Sequence, residues 1–464
     1  MLIKTHFPDA CGTGWAREEF AEIHFGDKRL NQRFISVTED LAMHTLSPIN
    51  QACEDWAQTK AAYRLFDNEK IVAEHITEIH TENTARRMQG HPVVLAVQDT
   101  CYFNYTHHPS VKGLGLIGTN RKPSQGLIMH STMALTPQGM PLGLLTQKIW
   151  ARDEERKNIA RQRKERQIED KESFKWLEAL EKTVQLAPQE VRVVTVCDRE
   201  ADIYELFMKA DELNTEVLVR AAQNRRCNEE LPKLWEFMES RSLAKRLTIE
   251  VPAKKKEPAR KAVVEIRFAP VHLRPPHSHN KGKQKEILVY AVFLREVDPP
   301  EKATPLEWML LTNGEVKTLK EALTCIDWYR VRWHIETYHK VLKSGCKVED
   351  CRLETAERLK RYLALFSIIA WRLYRITHMN RQHPEASCEM ILAEHEWKAL
   401  YLKIHRTTAF PDTPPTIRQA VRWIGQLGGF LGRKGDGEPG ITVIWRGWQR
   451  LQDIAETWQL VQHA

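Results

Sequence analysis

The chain has 464 residues, 42% of them hydrophobic and 28% charged, and a formal net charge of +8. That length is too great for a single core and predicts about two to four domains. No apolar run approaches the ~18 to 20 residues needed to cross a bilayer, and MLIKTHFPDACGTGW lacks the apolar centre of a signal peptide, so no membrane association and a cytoplasmic location are expected. Nine cysteines occur without a C-x-x-C pair, which predicts reduced, packed thiols and argues against structural zinc.

Trp15 to Phe25 reads as a short helix ended by Gly26, and the spacing Leu30, Phe34, Val37, Leu41 gives a second. Ser47-Pro48 predicts the start of a third, which carries Trp56, Tyr63 and Phe66. Lys28, Arg29 and Arg33 fall on the solvent side of the second helix, where they can face phosphates or simply water. The first seventy residues hold eight basic against eleven acidic side chains, so any DNA contact there must be a local cluster.

A linking helix ends near Arg87, and strands follow. Pro92 to Gln98 is apolar and stops at Asp99, while Leu127 to Leu135 and Leu142 to Ile149 are joined by a proline- and glycine-bearing turn. A charged helix is expected from about Asp153 to Val184. Val191 to Cys197 is then a β-branched run stopping at Asp198, before a helix marked by Ile203, Leu206 and Phe207. Two predicted strands thus end at an aspartate. Taken singly, each reads as readily as a helix cap or turn former. Ligands also gather at the carboxyl ends of strands in α/β sheets.

Val217 to Arg220 and Trp308 to Leu311 are predicted strands flanking a polar insertion. Within it, residues 241 to 285 hold thirteen lysines and arginines against three acidic residues. A buried helix is expected over Glu354 to Thr377. From about Met379 a helical segment rich in tryptophan reads as a separate part that pairs with a second copy.

The stretch Trp328 to Lys343, WYRVRWHIETYHKVLK, contains no glycine or proline and predicts one continuous helix. Val331, Ile335, Tyr338 and Leu342 gather on one side. Tyr329, Arg332, Glu336, Lys340 and Lys343 gather on the other. That polar stripe is either a solvated face of ion pairs or half of a phosphodiester site, in which Glu336 holds a metal and the cations and phenol hold phosphate oxygens. Clustered with Asp99 and Asp198, Glu336 would need a divalent cation to offset the repulsion, and all-oxygen donors suit magnesium or manganese.

The spacing Tyr329-x2-Arg332-x3-Glu336-x6-Lys343 resembles the Y-R-E-K signature of the insertion-sequence-four family of bacterial DDE transposases. VLAVQDT around Asp99, VCDREADIY around Asp198, PLEWMLLT around Trp308, FGDKRL and the C-terminal PDTPPTIRQAVRWIGQLGGFLGRKGDGEPG extend the likeness along the chain. The resemblance implies an α/β fold with an RNase H-like catalytic core in residues 71–378, carrying a β-strand insertion at about 221–307. It places a helical DNA-end-binding domain in 1–70, with N-terminal DNA contacts at Lys28, Arg29 and Arg33, and a helical dimerisation domain in 379–464.

It further implies that Asp99, Asp198 and Glu336 are catalytic ligands of two magnesium ions, with manganese able to substitute. Tyr329, Arg332, Lys340, Lys343 and Arg220 would bind phosphates, and Trp308 would stack on a flipped base. The expected partners are double-stranded DNA, both inverted terminal repeats and target, and a second copy in a homodimer on the bacterial nucleoid. The same carboxylates would serve a nuclease that cuts without joining, and the same chain could be an idle DNA-binding regulator.

Overall fold

The computed structural model describes residues 14–53, 55–118, 123–152, 167–227, 233–251, 258–275, 285–301 and 303–463. Helix α1 (Trp15–Glu19) is a single turn and a half, shorter than its sequence predicts. The chain then folds back so that Phe20 and Phe25 meet Phe34 at 5.0 and 5.3 Å. Helix α2 (Lys28–Met43) is capped by Asp27, whose carboxylate accepts the Arg29 N–H, and it buries Leu30, Phe34, Val37 and Leu41 as their spacing requires.

The predicted third helix is divided. One turn, α3 (Ile49–Ala52), precedes α4 (Trp56–Asp67), which Asp55 caps through the Gln58 N–H. Phe66 is buried, but Trp56 and Tyr63 are 77% and 41% exposed, so only one of the three aromatics belongs to the core. Helix α5 (Ala73–Met88) follows.

Strand β1 (Val93–Asn104) does not stop at Asp99. Thr100 to Phe103 are strand-favouring, and Cys101 and Phe103 alternate into the core, so the ladder continues past the aspartate. The short β2 (Gly115–Leu116) pairs with β3 (Gln125–Leu135), and β3 pairs antiparallel with β4 (Pro141–Trp150). The expected helix over Asp153 to Val184 is α6 (Phe174–Leu186) in its described part. Residues 167–173 form a 3-10 turn and bends, and 153–166 lie outside the described residues.

The order continues with β5 (Arg192–Cys197), α7 (Tyr204–Glu212), β6 (Glu216–Arg220), α8 (Leu234–Glu239), β7 (Lys245–Val251), β8 (Arg260–Leu273), β9 (Ile287–Glu296) and β10 (Glu307–Thr312). Helices α9 (Leu319–Val331), α10 (Trp333–Lys340), α11 (Ala356–Gln382), α12 (Glu394–His405), α13 (Ile417–Leu427) and α14 (Ile441–His463) complete the chain. Mixed strands with helices give the α/β class expected from the sequence.

The chain divides into two compact units. One comprises Met1–Gly90, Thr100–Arg156 and His334–Ala464, the other His91–Asp99 and Lys157–Trp333, so β1 contributes to both. In the second unit the strand order is β1-β5-β6-β10-β9-β8-β7, with β1, β5 and β6 parallel and the rest antiparallel. The described part of the basic insertion is thus ordered strand, extending the sheet. Its core joins Val217, Val219, Met309 and Leu311 to Trp176, Leu180 and Phe207 from the helices.

In the first unit α5 and α11 cover β4. Arg372 of α11 is 4% exposed, with its guanidinium 4.9 Å from the Trp15 ring and 5.1 Å from the Trp448 ring. Near the C-terminus α13 and α14 cross backbone to backbone. A Cβ on Gly447 would lie 1.7 Å from the Ile424 carbonyl oxygen, and one on Gly428 would lie 1.8 Å from that of Val443, so only glycine fits at either place. Trp445 and Trp448 are buried, Trp423 packs edge-on against His405, and Trp458 packs against Phe410.

Candidate active site

Strands β1 and β5 run parallel in register from Val93 opposite Arg192 to Val97 opposite Val196. The β5–β6 register ends with Cys197 opposite Val219. Continued across the sheet, these registers set Asp99, Asp198 and Arg220 in one row. The row stands at the carboxyl ends of β5 and β6, where an α/β sheet opens to ligands.

Asp198 follows the last residue of β5, and its carboxylate accepts the Glu200 N–H at 2.8 Å in the 3-10 turn Arg199–Ala201. The turn-forming and ligand-binding readings of this aspartate are therefore compatible, since one carboxylate oxygen is enough for the turn. Burial pushes the Asp198 carboxyl above its usual range, and the Asp99 charge adds to it; the Glu200 N–H and the Arg332 charge oppose without prevailing. Neighbouring Cys197 is fully buried, and that burial pushes its thiol well up.

Arg220 donates from Nη2 to the Glu307 carbonyl at 2.8 Å and hydrogen-bonds the Tyr329 hydroxyl. Burial lowers its affinity for a proton, Tyr329 raises it, and nearby Arg199 and Arg332 lower it again. Three guanidinium groups thus share one neighbourhood beside the aspartates, an arrangement suited to phosphate oxygens. Arg199 was not singled out from the sequence. Its signal was its place immediately after Asp198.

Tyr329 is 5% exposed, so of the two readings of its stripe the solvated face does not hold for this residue. Its ring meets Trp308 edge to face at 5.0 Å, and the Arg332 guanidinium lies 5.8 Å from its centroid.

The predicted helix from Trp328 to Lys343 is broken twice. Helix α9 opens with a full capping box at Thr318 and ends at Val331, where the Arg332 N–H turns back to the Tyr329 carbonyl at 3.1 Å. Helix α10 follows to Lys340, and Val341–Gly345 widens into a π turn closed by the Cys346 N–H on the Val341 carbonyl. The apolar side is as expected: Val331, Ile335, Tyr338 and Leu342 are all buried.

Glu336, Lys340 and Lys343 belong to the first unit. Glu336 is half-buried and Lys340 exposed. Lys343 pairs with Glu349 at 3.3 Å and lies 5.7 Å from the Phe103 ring. Glu349, which sequence reasoning passed over, also accepts the Asn104 N–H at 2.7 Å. Two residues before Glu336, the His334 ring is bonded to the Tyr374 hydroxyl at 2.8 Å, and burial holds its pKa down to about 4. Lys28, Arg29 and Arg33 are exposed on α2.

Among the described residues no group of three or more histidine, cysteine, aspartate or glutamate side chains gathers as a metal site. The donor chemistry of the aspartate pair nevertheless fits a hard divalent cation. Two carboxylates share a partly dry place, their mutual charge is unfavourable, and a cation between them would relieve it. Among the described residues, no helix is long and apolar enough to cross a membrane.

Three protein-family models match the chain. Transposase DNA-binding covers residues 12–71, Transposase DDE domain covers 146–372, and Transposase Tn5 dimerisation domain covers 368–462. Lys28, Arg29 and Arg33 fall in the first match. Asp198, Arg220, Trp308, Tyr329, Arg332, Glu336, Lys340 and Lys343 fall in the second, and Asp99 lies before it. With DNA-binding, DDE and dimerisation segments in that order, the chain is a DDE transposase that resembles the transposase of Tn5, consistent with the insertion-sequence-four family.

Proposed function

We propose that this transposase moves its element by cut and paste. It binds the terminal inverted repeats as a homodimer, hydrolyses each end, frees the element through hairpin ends and joins the 3′-hydroxyls to target DNA. The reading places end binding in residues 1–70, catalysis in 71–378 with an insertion at about 221–307, and dimerisation in 379–464. Work on DNA puts the protein on the nucleoid in the cytoplasm.

Asp99, Asp198 and Glu336 are the proposed ligands of two magnesium ions, for which manganese could substitute. When bound, such ions supply Lewis-acid activation of the attacking oxygen and charge neutralisation at the leaving one. The remaining tasks fall to the chain. Arg220, Arg332, Lys340 and Lys343 neutralise non-bridging phosphate oxygens, and the Tyr329 hydroxyl, held by Arg220, fixes their orientation. Trp308 takes up a base extruded when the backbone bends into a hairpin.

The observation that carries this reading is the alignment of Asp99 and Asp198 on neighbouring parallel strands, with Asp198 pushed toward its protonated form and arginines alongside. The test uses duplex DNA bearing the inverted repeats that flank the gene. Asp99→Ala, Asp198→Ala and Glu336→Gln are each expected to abolish cleavage in magnesium while leaving end binding intact. Cleavage at a normal rate by any of them refutes the assignment, and pre-cut ends that never join to plasmid refute the joining step.

A further inference from the structure

The aspartate row contains a gap in its support. Backbone pairing holds β5 and β6 together up to Cys197 and Val219, and Asp198 and Arg220 stand one position beyond it. Arg220 is held from its other side by pairing with Leu310 of β10, which leaves its link to Asp198 to be made by other groups. Asp202, four residues after Asp198, is placed to make it.

The Asp202 side chain is completely buried. Its Oδ2 accepts the backbone N–H groups of Ala222 at 2.8 Å and Gln223 at 2.9 Å, immediately after Arg220. Its Oδ1 accepts Arg225 Nε at 2.9 Å and Nη2 at 2.7 Å, and Arg225 Nη2 also reaches the Asp202 carbonyl. Asp202 is in turn tied to Asp198 through the 3-10 turn. There the Ala201 N–H bonds the Asp198 carbonyl and the Asp202 N–H bonds the Arg199 carbonyl, each at 3.3 Å. On its other side, the Ala221 N–H bonds the Met309 carbonyl at 2.7 Å.

One buried carboxylate therefore splices the turn that carries Asp198 to the chain that leaves Arg220. The covalent route between them runs through all of α7 and β6. A carboxylate taking two backbone donors and a bidentate guanidinium is among the stiffest short links a protein can make.

We infer that Asp202 is a positioning residue for the reaction, holding the phosphate-binding Arg220 at a fixed offset from Asp198. The inference rests on the proposed roles of those two residues. A purely structural account, in which Asp202 only neutralises a buried arginine, predicts a different pattern of coupling.

The discriminating experiment is a double-mutant cycle on the full-length protein, read as single-turnover cleavage of inverted-repeat duplex at saturating protein. Asp202→Asn keeps the size of the side chain and is expected to slow cleavage about ten- to a hundred-fold with end binding within about two-fold of the parent, since small misplacements of reacting groups cost rates of this order. In an Arg220→Ala background the same substitution should add less than about two-fold, because its effect runs through Arg220.

Equal slowing in both backgrounds overturns the inference, and so does an Asp202→Asn rate within about two-fold of the parent. Should Asp202→Asn fail to fold, Arg225→Lys, which keeps the charge but breaks the fork, is carried through the same cycle with the same criteria. Asp198→Ala in the same assay separates the two levels: normal cleavage there removes the proposed site itself, whatever Asp202 does.

Discussion

The indole of Trp308 and the phenol ring of Tyr329 meet edge to face, with centroids 5.0 Å apart and planes at 71°. One side of the indole is thus backed by a buried residue that is itself held by Arg220. A backed aromatic is a stiff platform, and stacking a base on one yields ~1 to 3 kcal/mol. Trp308→Ala is expected to slow hairpin formation about ten-fold or more while the first nick is little changed. Equal slowing of both steps on a denaturing gel would count against base stacking.

Burial and, after it, the neighbouring Asp99 charge both disfavour the charged form of Asp198, a cost that the proposed pair of metal ligands would carry. Asp198→Asn removes one of the charges and keeps a group able to accept the Glu200 N–H. Without divalent ions at neutral pH the variant should melt higher than the parent, while its cleavage is lost. Magnesium should raise the parent's melting temperature by binding the native state and leave the variant's nearly unchanged. A lower melting temperature for the metal-free variant would show that the repulsion is unimportant.

A second ionic cluster lies far from the row in sequence. Buried Glu19 bonds Arg87 at 2.9 Å and His80 Nδ1 at 2.5 Å, while His80 Nε2 accepts the Leu144 N–H at 3.0 Å. Because Nε2 accepts, His80 is neutral with its proton on Nδ1. Burial alone would push the Glu19 carboxyl up, but Arg87 and His80 outweigh it and hold it far below the usual range. Burial likewise holds the His80 pKa down. Both groups bind protons more tightly in the unfolded chain, so stability should be full above about pH 6.5, fall first as His80 is forced to charge, and fall further below about pH 4.5 as Glu19 is neutralised. Glu19→Gln strands a buried arginine and should cost about 3 to 5 kcal/mol in urea unfolding.

The contact of α13 with α14 gives a prediction for the C-terminal segment. Gly447→Ala must push the helices apart, because its Cβ would strike the Ile424 carbonyl. Sedimentation should show loss of the DNA-bound dimer. A dimer as tight as the parent's would mean that the helix pair is irrelevant to assembly.

Lys28, Arg29 and Arg33 are exposed on one helix within the DNA-binding match. If each neutralises a phosphate, replacing one by alanine should weaken end binding across sequences and lower the slope of log K against log salt by about one. An unchanged slope would assign these residues to an ordinary wet surface.

What could be read from the sequence was local. The periodicity of α2 named its buried residues, and the β-branched run before Asp198 named β5. The boundaries that failed depend on distant partners. Nothing near Asp99 says that β1 continues to Asn104, because Cys101 and Phe103 are held by residues far along the chain. The breaks at Arg332 and at Val341–Gly345 contain no proline, and both pass for uninterrupted helix by spacing alone. The helical wheel left Tyr329 open between a solvated face and a phosphate site, because spacing alone cannot foresee Trp308 packed against its ring. Glu19, His80 and Arg87 lie far apart in the sequence, and only the fold brings them together.

Helix α11 is one rod of 27 residues, and every side chain from Tyr362 to Asn380 is buried. The DDE match ends at residue 372 and the dimerisation match begins at residue 368, both inside it. The two segments are therefore not beads that recombination could trade between elements. A gene truncated at that seam would encode half a rod with Leu373, Tyr374 and Ile376 missing from the interior. Its lineage should inherit cutting and pairing together or lose both at once.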